Sequence, residues 1–436
     1  MTGTTRPRRQ WLEWRPFGQT ASIPDYGITF LAEFATLAAG LLVLRLAAWR
    51  WGPTGFGEYV LARRTLSLVQ LPVLCNMGVA LSRFVAISAV GGRFTRQRYL
   101  LAATAVAVVA SLLAGLVLVL AAAPTAALMF GNARYAPLVR AVALAVPGIA
   151  LHSVAYGYFR GRLRMLAANA LQIGNFALVP VLVFAMPGIT VLQAVTALAA
   201  SWNVVAIGAI AEPLWSAVRE SRGSPLPAVR ELLGYGLPRV PGEFALAALF
   251  SLPTTLAAHF GGIEQAGFVG LGVSLLSLVG STFAPLGQIV LPSVSTMAAH
   301  GRTASLRSGV WRLWLASVMI AAAIVVVLAI LARPLIALFV SPAFLPAVPV
   351  TRLLLLAGVP YVTYVVLRNV LDALDTRPLN ARNLVVAVLL FAVVVLIARR
   401  PDAVAGAMVI AVTVLGLLSV RDTRIALRLD SSGTRR

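Results

Sequence analysis

Long apolar segments follow one another along almost the whole chain, separated by short charged gaps. Each holds roughly 20 to 30 mainly apolar residues, and about 20 such residues in a helix cross the hydrocarbon core of a bilayer. The segments cover residues 24–50, 57–90, 98–123, 134–159, 163–186, 189–213, 232–258, 264–299, 308–333, 344–373, 379–398 and 402–421. Backbone polar groups in lipid must be satisfied within their own segment. The pattern therefore predicts an all-α polytopic membrane protein with about twelve transmembrane helices.

Composition and charge agree with this class. Apolar residues make up 60% of the chain, charged residues 11%, and the mean hydropathy is +0.90. The net charge of +22 is carried by arginines that concentrate in alternate gaps, as the positive-inside rule describes for cytoplasmic loops. We interpret this charge as topology and attraction to anionic membrane lipids rather than nucleic-acid binding. Both termini are then expected in the cytoplasm.

A shift of about 210 residues aligns the chain with itself. The matches at this shift include Glu33 with Glu243, Gly52 with Gly262, and Gly57 with Gly267. The repeat predicts two six-helix bundles inserted in the same orientation, because six crossings return the chain to its starting side. The predicted domains are an N-terminal bundle of residues 1–213, a cytoplasmic linker of residues 214–231, and a C-terminal bundle of residues 232–436 with a basic cytoplasmic tail.

Signals of enzymatic chemistry are weak. The sequence contains no phosphate-binding glycine loop of the ATPase type and no His, Cys and Asp cluster with metal-ligand spacing. The single cysteine, Cys75, is expected inside a helix. We therefore predict that the protein is not an enzyme and uses no cofactor and no metal. Any pumping would draw on an ion gradient, the membrane potential or the substrate's own gradient.

Two carboxylates fall inside predicted membrane helices. Glu33 and Glu243 occupy equivalent positions in the two halves, and ionisable groups at membrane depth usually face a cavity or a partner. One interpretation is a pair of cleft carboxylates, one or both carrying a coupling proton or cation. The alternative is structural: Arg239 lies four residues before Glu243, the spacing of a same-face ion pair, and Glu33 has arginines available to it.

The start of the seventh span carries the strongest signal for a moving element. Pro238, Pro241 and Gly242 surround Arg239 and Glu243, and prolines remove helix hydrogen bonds and favour a bend. We predict a hinge here; a static kink is the alternative.

Several arginines lie within apolar segments rather than between them. Few acids are available to neutralise them, so they predict an anionic ligand such as phosphate, which guanidinium groups bind bidentately. For Arg83, Arg140 and Arg368, the alternative is that the side chain extends to the membrane interface. The position equivalent to Arg83 in the second half is Ser293, so the repeat gives no support to a cleft role for Arg83.

Several short motifs resemble the polysaccharide flippases of the Wzx type, within the multidrug/oligosaccharidyl-lipid/polysaccharide (MOP) exporter superfamily. In the first half these are the turn Trp51-Gly-Pro-Thr-Gly-Phe-Gly-Glu-Tyr59 and the helix end Asn76-Met-Gly-Val-Ala-Leu-Ser-Arg83. In the second half they are the Gly262 to Phe268 turn and Leu291-Pro-Ser-Val-Ser295.

The resemblance implies a MATE-like fold of twelve helices around a central cationic cavity in a bacterial inner membrane. It implies flipping of an isoprenoid-pyrophosphate-linked oligosaccharide to the outer leaflet by alternating access, for cell-surface polysaccharide assembly such as lipopolysaccharide. Five residues of this sequence match the cavity-lining helices of the family. The resemblance implies that Arg63, Arg64 and Arg239 bind substrate in the cleft and that Glu33 and Glu243 are cleft carboxylates. Implied partners are membrane lipids, the lipid-linked oligosaccharide, a glycan polymerase and glycosyltransferases.

Two other functions fit the sequence less well. A multidrug extruder of the same superfamily often takes cationic substrates, which the arginine surplus would repel. A membrane-embedded glycan polymerase or ligase usually carries a sizeable extracytoplasmic loop, whereas the predicted outer loops here are short.

Overall fold

The computed structural model describes residues 23–89, 91–221, 223–299, 303–375 and 377–431, and every regular element in them is helical. The α-helices of the first half are α1 Ile23–Leu74, α2 Met77–Ser88, α3 Arg96–Leu120, α4 Ala122–Phe130, α5 Ala136–Gly161, α6 Met165–Ile173, α7 Val179–Ala185 and α8 Val191–Glu220. Those that follow are α9 Leu226–Gly236, α10 Val240–Ser281, α11 Ala284–Ala299, α12 Thr303–Ile330, α13 Ala332–Leu335, α14 Val348–Leu355, α15 Gly358–Leu374, α16 Leu379–Ala398 and α17 Pro401–Ser431.

The number of membrane crossings agrees with the hydropathy pattern. Within the described ranges, nine helical stretches are long and apolar enough to span a bilayer, and a further span is the pair 342–355 and 358–374, bent by 45°. Two of the nine are 58 and 62 residues long and each contains a glycine outside helical geometry. Each of these is long enough for two crossings, which gives twelve in the part of the chain that the structure describes. The predicted all-α polytopic fold is confirmed.

The two interrupting glycines are the equivalent positions of the repeat. Gly52 has φ 61° and ψ −170°, and Gly262 has φ 81° and ψ 179°. Residues with a Cβ rarely adopt such positive φ values, whereas glycine does so without steric cost. The repeat thus appears as one backbone conformation used twice. We refer to the end of the molecule that holds both glycines as the kink end.

The two halves meet closely near the kink end. A Cβ on Gly57 would overlap the carbonyl oxygen of Ile263, and a Cβ on Gly267 would overlap the carbonyl oxygen of Pro53. The ring of Phe344 packs against a phenylalanine from each half at the same level. Glycine at these two positions allows α1 and α10 to touch backbone to backbone, which closes the space between the halves at this end.

The helix α9 precedes the second half in sequence but packs on the first. Leu232 belongs to the apolar core of the first half, whereas Ala245 in α10 belongs to the core of the second. Glu231 accepts a hydrogen bond of 2.8 Å from the hydroxyl of Tyr99 in α3. The chain therefore passes from one core to the other at the 3-10 turn Leu237–Arg239.

This arrangement bears on the predicted linker at residues 214–231. In that range α8 continues to Glu220 and α9 begins at Leu226, so most of the described residues there are helical. The division into two domains stays a prediction. Any domain boundary has to take into account that α9 packs on the first half.

The second span is interrupted near its middle. Cys75 and Asn76 have φ values of 44° and 53°, so the expectation that Cys75 lies inside a helix is wrong. Pro72 has no N–H to continue the helical hydrogen bonds, and asparagine is one of the residues that tolerate the left-handed region. The apolar segment 57–90 is therefore divided between α1 and α2.

Candidate functional site: an arginine-lined cavity between the halves

A cavity of about 400 Å³ lies between the halves at the end opposite the kinks. Its walls come from the end of α1, from α2 and α5 in the first half, and from the start of α10 in the second. The charged side chains that line it are Arg83, Arg160 and Glu243. We call this space the cleft cavity. The ion pairs among the described residues involve other arginines, so Arg83 and Arg160 face it without a carboxylate partner there.

Glu243 is neutralised from its own half. Its Oε1 accepts a hydrogen bond of 3.1 Å from Nη2 of Arg368 in α15. The two side chains are 38% and 30% exposed, so the pair is partly desolvated. From the sequence, Arg368 was a candidate either for the cleft or for the membrane interface; in the structure it binds Glu243, which lines the cleft cavity.

Arg239 does not form the ion pair that its spacing suggested. Its guanidinium lies 3.9 Å from the ring centroid of Tyr235 and donates to the Tyr235 carbonyl oxygen at 2.5 Å. Arg83 lies against the same ring, at 4.7 Å. The i, i+4 rule assumes a continuous α-helix, whereas here the 3-10 turn Leu237–Arg239 precedes α10. Arg239 therefore does not line the cleft cavity. It contacts Tyr235, whose ring also packs against Arg83 on the cavity wall.

Glu33 has a different environment from its equivalent in the second half. It interacts electrostatically with Tyr156 of α5, which also interacts with Arg160. The guanidinium of Arg160 lies 5.5 Å from the centroid of the Tyr156 ring. Tyr156 is therefore within electrostatic range of Glu33 and packs against Arg160, which lines the cavity.

A Tyr-x-x-x-Arg pair occurs on the fourth span of each half. Tyr156 and Arg160 in α5 match Tyr364 and Arg368 in α15 at a shift of 208 residues. In the second pair the guanidinium lies 5.7 Å from the ring centroid, nearly the same separation as in the first. Hydropathy alone puts Arg160 in the gap between the apolar segments 134–159 and 163–186 rather than on a span. This motif, close to the 210-residue register, was the signal that could have identified it.

Arg63 lines a second cavity, inside the first half. This space of about 370 Å³ lies between α1, α5, α8 and the segment that includes Phe176 and Pro180. Arg63 interacts there with the hydroxyl of Tyr59, one turn earlier. The lining is otherwise mainly apolar and aromatic, with a few uncharged polar groups such as Gln70.

Arg64 points to the opposite side of α1, towards the second half. Its Nε is buried and has no hydrogen-bond partner among the described residues. It interacts electrostatically with Tyr361 of α15, and Tyr361 also interacts with Arg368 and Glu243. Tyr361 therefore connects a cation of the first half with the ion pair of the second. The structure does not gather Arg63, Arg64 and Arg239 into one cavity.

The residues predicted as a hinge lie where the chain changes core. Pro238 is within the 3-10 turn and Pro241 is in the first turn of α10, a position where the missing N–H of proline costs no helix hydrogen bond. Gly242 packs on Ala381, with 3.1 Å between an added Cβ and the Ala381 Cβ. The prolines therefore shape the junction without breaking a regular helix.

This arrangement suits recognition rather than bond-breaking chemistry. No group of three or more His, Cys, Asp and Glu side chains in the described ranges is placed to hold a metal ion. The cleft cavity instead presents two arginines that lack a carboxylate partner, with serine and asparagine side chains beside them. Such a surface is able to bind a polyanionic group through charge-assisted hydrogen bonds.

Comparison with solved structures gives the fold. The chain is similar to a multidrug-resistance MATE family transporter of the MOP superfamily in an inward-facing conformation, with a TM-score of 0.76 and 15% identity, covering 95% of this chain and 100% of that one. It is also similar to the lipid II flippase MurJ in an inward closed conformation, with a TM-score of 0.63 and 13% identity, covering 94% and 90% of the two chains. These identities show a common fold alone.

Sequence comparison is more specific. The chain is 34% identical over 158 residues to the lipid III flippase of Escherichia coli strain K12, over 36% of this chain and 37% of that protein. The match therefore spans little more than a third of the relative's length. These relatives are transporters, which agrees with the prediction of a non-enzymatic membrane protein. The polysaccharide biosynthesis protein family matches residues 24–298, more than half of the chain, so the chain belongs to this family and has the fold of the MOP superfamily.

Proposed function

We propose that the protein flips an isoprenoid-pyrophosphate-linked oligosaccharide from the cytoplasmic to the outer leaflet of a bacterial plasma membrane. The observation that carries this proposal is the cleft cavity, in which Arg83 and Arg160 have no carboxylate partner among the described residues. The family match and the partial similarity to a lipid III flippase support it.

The arginines of the cleft cavity would hold the pyrophosphate. Arg160 is oriented by Tyr156 and Arg83 by Tyr235, so less side-chain entropy is lost when they bind. The sugars would occupy the space between the halves, and the prenyl tail would remain in lipid. Arg63, Arg64 and Arg239 stay as candidates for later stages of the path, because each lies in a separate environment.

Alternating access would proceed by rocking one half against the other. The halves are closed at the kink end by glycine contacts and enclose a cavity at the opposite end. The turn Leu237–Arg239 would absorb the rotation as the hinge, because Leu232 of α9 packs in one core and Ala245 near the start of α10 in the other. Glu33 and Glu243 remain proposed coupling carboxylates.

The proposed orientation has both termini and the cleft cavity at the cytoplasmic side. The support is the concentration of arginines in alternate gaps. Reporter fusions at residue 436 test it: a cytoplasmic fluorescent reporter should be active and a periplasmic phosphatase inactive. A glycan polymerase and glycosyltransferases are proposed as neighbours in the assembly of the polymer.

The central experiment uses a deletion strain complemented with variants. Arg83→Gln combined with Arg160→Gln should abolish the surface glycan and trap its lipid-linked precursor on the inner leaflet. Arg140→Gln is the matched control, because Arg140 is an exposed arginine on the same helix α5 and does not line the cleft cavity. Surface glycan and precursor leaflet distribution are the readouts.

Binding separates recognition from the later steps of transport. Each arginine–phosphate contact is worth about 1.5–3 kcal/mol, so each substitution should weaken binding of farnesyl pyrophosphate to the purified protein at least about tenfold. Normal glycan in the double variant refutes the proposal. Normal glycan in the deletion strain, with gained sensitivity to cationic drugs, would instead assign the protein to the multidrug extruders, which share its fold.

A further inference from the structure

A second arginine cluster lies far from the cleft cavity, in the second half. Arg307, Trp311 and Trp314 lie on one face of α12, spaced by four and three residues, and face Arg424 and Arg428 in the last turns of α17. Together they line a cavity of about 430 Å³. Nothing in the proposed flipping mechanism uses this space.

The two tryptophans hold the cluster in place. Their rings meet edge to face with 5.4 Å between centroids, and Nε1 of Trp314 donates to the Thr363 hydroxyl at 3.4 Å. The guanidinium of Arg424 lies 5.6 Å from the centroid of the Trp311 ring, within the range of a cation–π interaction. Arg424 is therefore oriented before any ligand arrives, which favours binding.

The described lining of this pocket places no carboxylate beside Arg307 and Arg424. Asp422, two residues before Arg424, is buried and accepts hydrogen bonds from Arg382 at 2.7 Å and Asn383 at 2.8 Å. It therefore faces a different helix from Arg424. The cavity presents guanidinium groups and indole rings, a combination that suits a phosphate group.

The pocket lies at a membrane boundary. It is formed by the first turns of the span Ser305–Ile330 and the last turns of the span Pro401–Arg428. Leu315, on the lining, and Met319, one turn further into the span, are 54% and 63% exposed. An apolar track thus runs from the arginines along the membrane-facing side of α12.

We propose that this pocket binds the phosphodiester headgroup of an anionic phospholipid, with an acyl chain lying along the Leu315–Met319 track. Basic pockets between transmembrane helices at this depth bind such headgroups. A phospholipid would contact the arginines with its phosphate and the apolar track with its acyl chain, whereas free phosphate would contact the arginines alone. The bound lipid would tie α12 to α17 and so brace the second half.

The test is native mass spectrometry of the purified full-length protein with added lipids of equal chain length. We expect phosphatidylglycerol to be retained in preference to phosphatidylcholine. One basic residue near an anionic headgroup contributes about fivefold in affinity, so Arg307→Gln with Arg424→Gln should lower phosphatidylglycerol binding about 25-fold.

Arg219→Gln is the matched control. Arg219 is an exposed arginine whose guanidinium lies 5.4 Å from the ring centroid of Trp215, the same type of contact as that of Arg424 with Trp311, and it does not line the pocket. It should change phosphatidylglycerol binding less than twofold. An equal loss in this control, or no preference between the two lipids, overturns the proposal. Displacement of the lipid by millimolar inorganic phosphate would assign the pocket to free phosphate and overturn the lipid assignment.

The result is separable from the flipping mechanism, because the pocket shares no residue with the cleft cavity. Lipid binding that depends on Arg307 and Arg424 stands even if surface glycan proves independent of the protein. Loss of flipping in cleft variants likewise leaves the lipid pocket to its own measurement.

Discussion

A single methyl group at Gly57 tests the proposed gate at the kink end. Gly57→Ala would place a Cβ against the carbonyl oxygen of Ile263 and 3.0 Å from the backbone nitrogen of Gly267. Both atoms belong to the backbone, so no change of rotamer relieves the overlap. Overpacking of this kind costs about 1–3 kcal/mol, and a cost of about 2 kcal/mol would change the ratio of two conformations about 30-fold.

The overlap between the added methyl group and the facing backbone exists in the conformation that is closed at the kink end. In a conformation with α1 and α10 apart, the added methyl group meets solvent or substrate instead. Gly57→Ala should therefore shift the population towards opening at that end. Gly267→Ala should do the same, because its Cβ would overlap the carbonyl oxygen of Pro53, and this second variant guards against an effect specific to one site.

Pulsed electron paramagnetic resonance measures this shift directly. Spin labels at positions 54 and 264, in a Cys75→Ala background, report the separation of the halves, because Thr54 and Glu264 are both exposed near the kinks. Gly208→Ala is the control, since nothing lies within 4 Å of its added Cβ. Identical distance distributions in Gly57→Ala and Gly208→Ala would refute the role of the glycine contact as a gate.

Three further outcomes are expected in thermal unfolding of the full-length protein in detergent. Arg368→Gln and Glu243→Gln should each lower the free energy of unfolding by about 1–2 kcal/mol, because each leaves the other, partly buried charge unpaired; an unchanged transition in both variants would contradict this. Gly148→Ala should cost about 1–3 kcal/mol, since its Cβ would lie 2.7 Å from a backbone nitrogen of α8, whereas Gly208→Ala should cost almost nothing. Asp422→Ala should cost about 2–3 kcal/mol, because two side-chain donors lose their charged acceptor; an unchanged transition would show that water replaces it.

Hydropathy and the internal repeat predicted most of the architecture. The cost of leaving backbone groups unsatisfied in lipid makes each apolar segment a helix, so the number of spans follows from their length. The repeat marked Gly52 and Gly262, and the structure gives both the same non-helical backbone. These features are local or strictly periodic, and a single sequence contains the information that specifies them.

The partners of the charged side chains were not predictable in the same way. Glu243 had a nearby candidate in Arg239, but its partner is Arg368, 125 residues further along the chain. The short 3-10 turn before α10 changes the direction of Arg239, and tertiary packing brings α15 to Glu243. Spacing rules apply within one continuous helix, so they do not identify contacts between helices.

The two halves repeat the same charged residues but differ in how these residues are paired, so only one wall of the cleft cavity is cationic. Each half carries a glutamate on its first span and a Tyr-x-x-x-Arg pair on its fourth. In the second half the glutamate binds the arginine directly; in the first, no ion pair between Glu33 and Arg160 is found among the described residues, and Arg160 lines the cavity together with Arg83.

Arg83 increases this imbalance, since the repeat places Ser293 at the equivalent position. The glutamate and arginine of the second half therefore neutralise each other, whereas the arginines of the first half leave its wall cationic. A ligand with a single anionic end and a long neutral body gains from such an arrangement, because its charged group has one preferred wall and the rest of it meets little competing charge. A symmetric pair of charged walls would hold the anionic end in two orientations. The divergence of two arginine environments, rather than the number of arginines, is thus the feature that best fits a pyrophosphate-headed glycolipid.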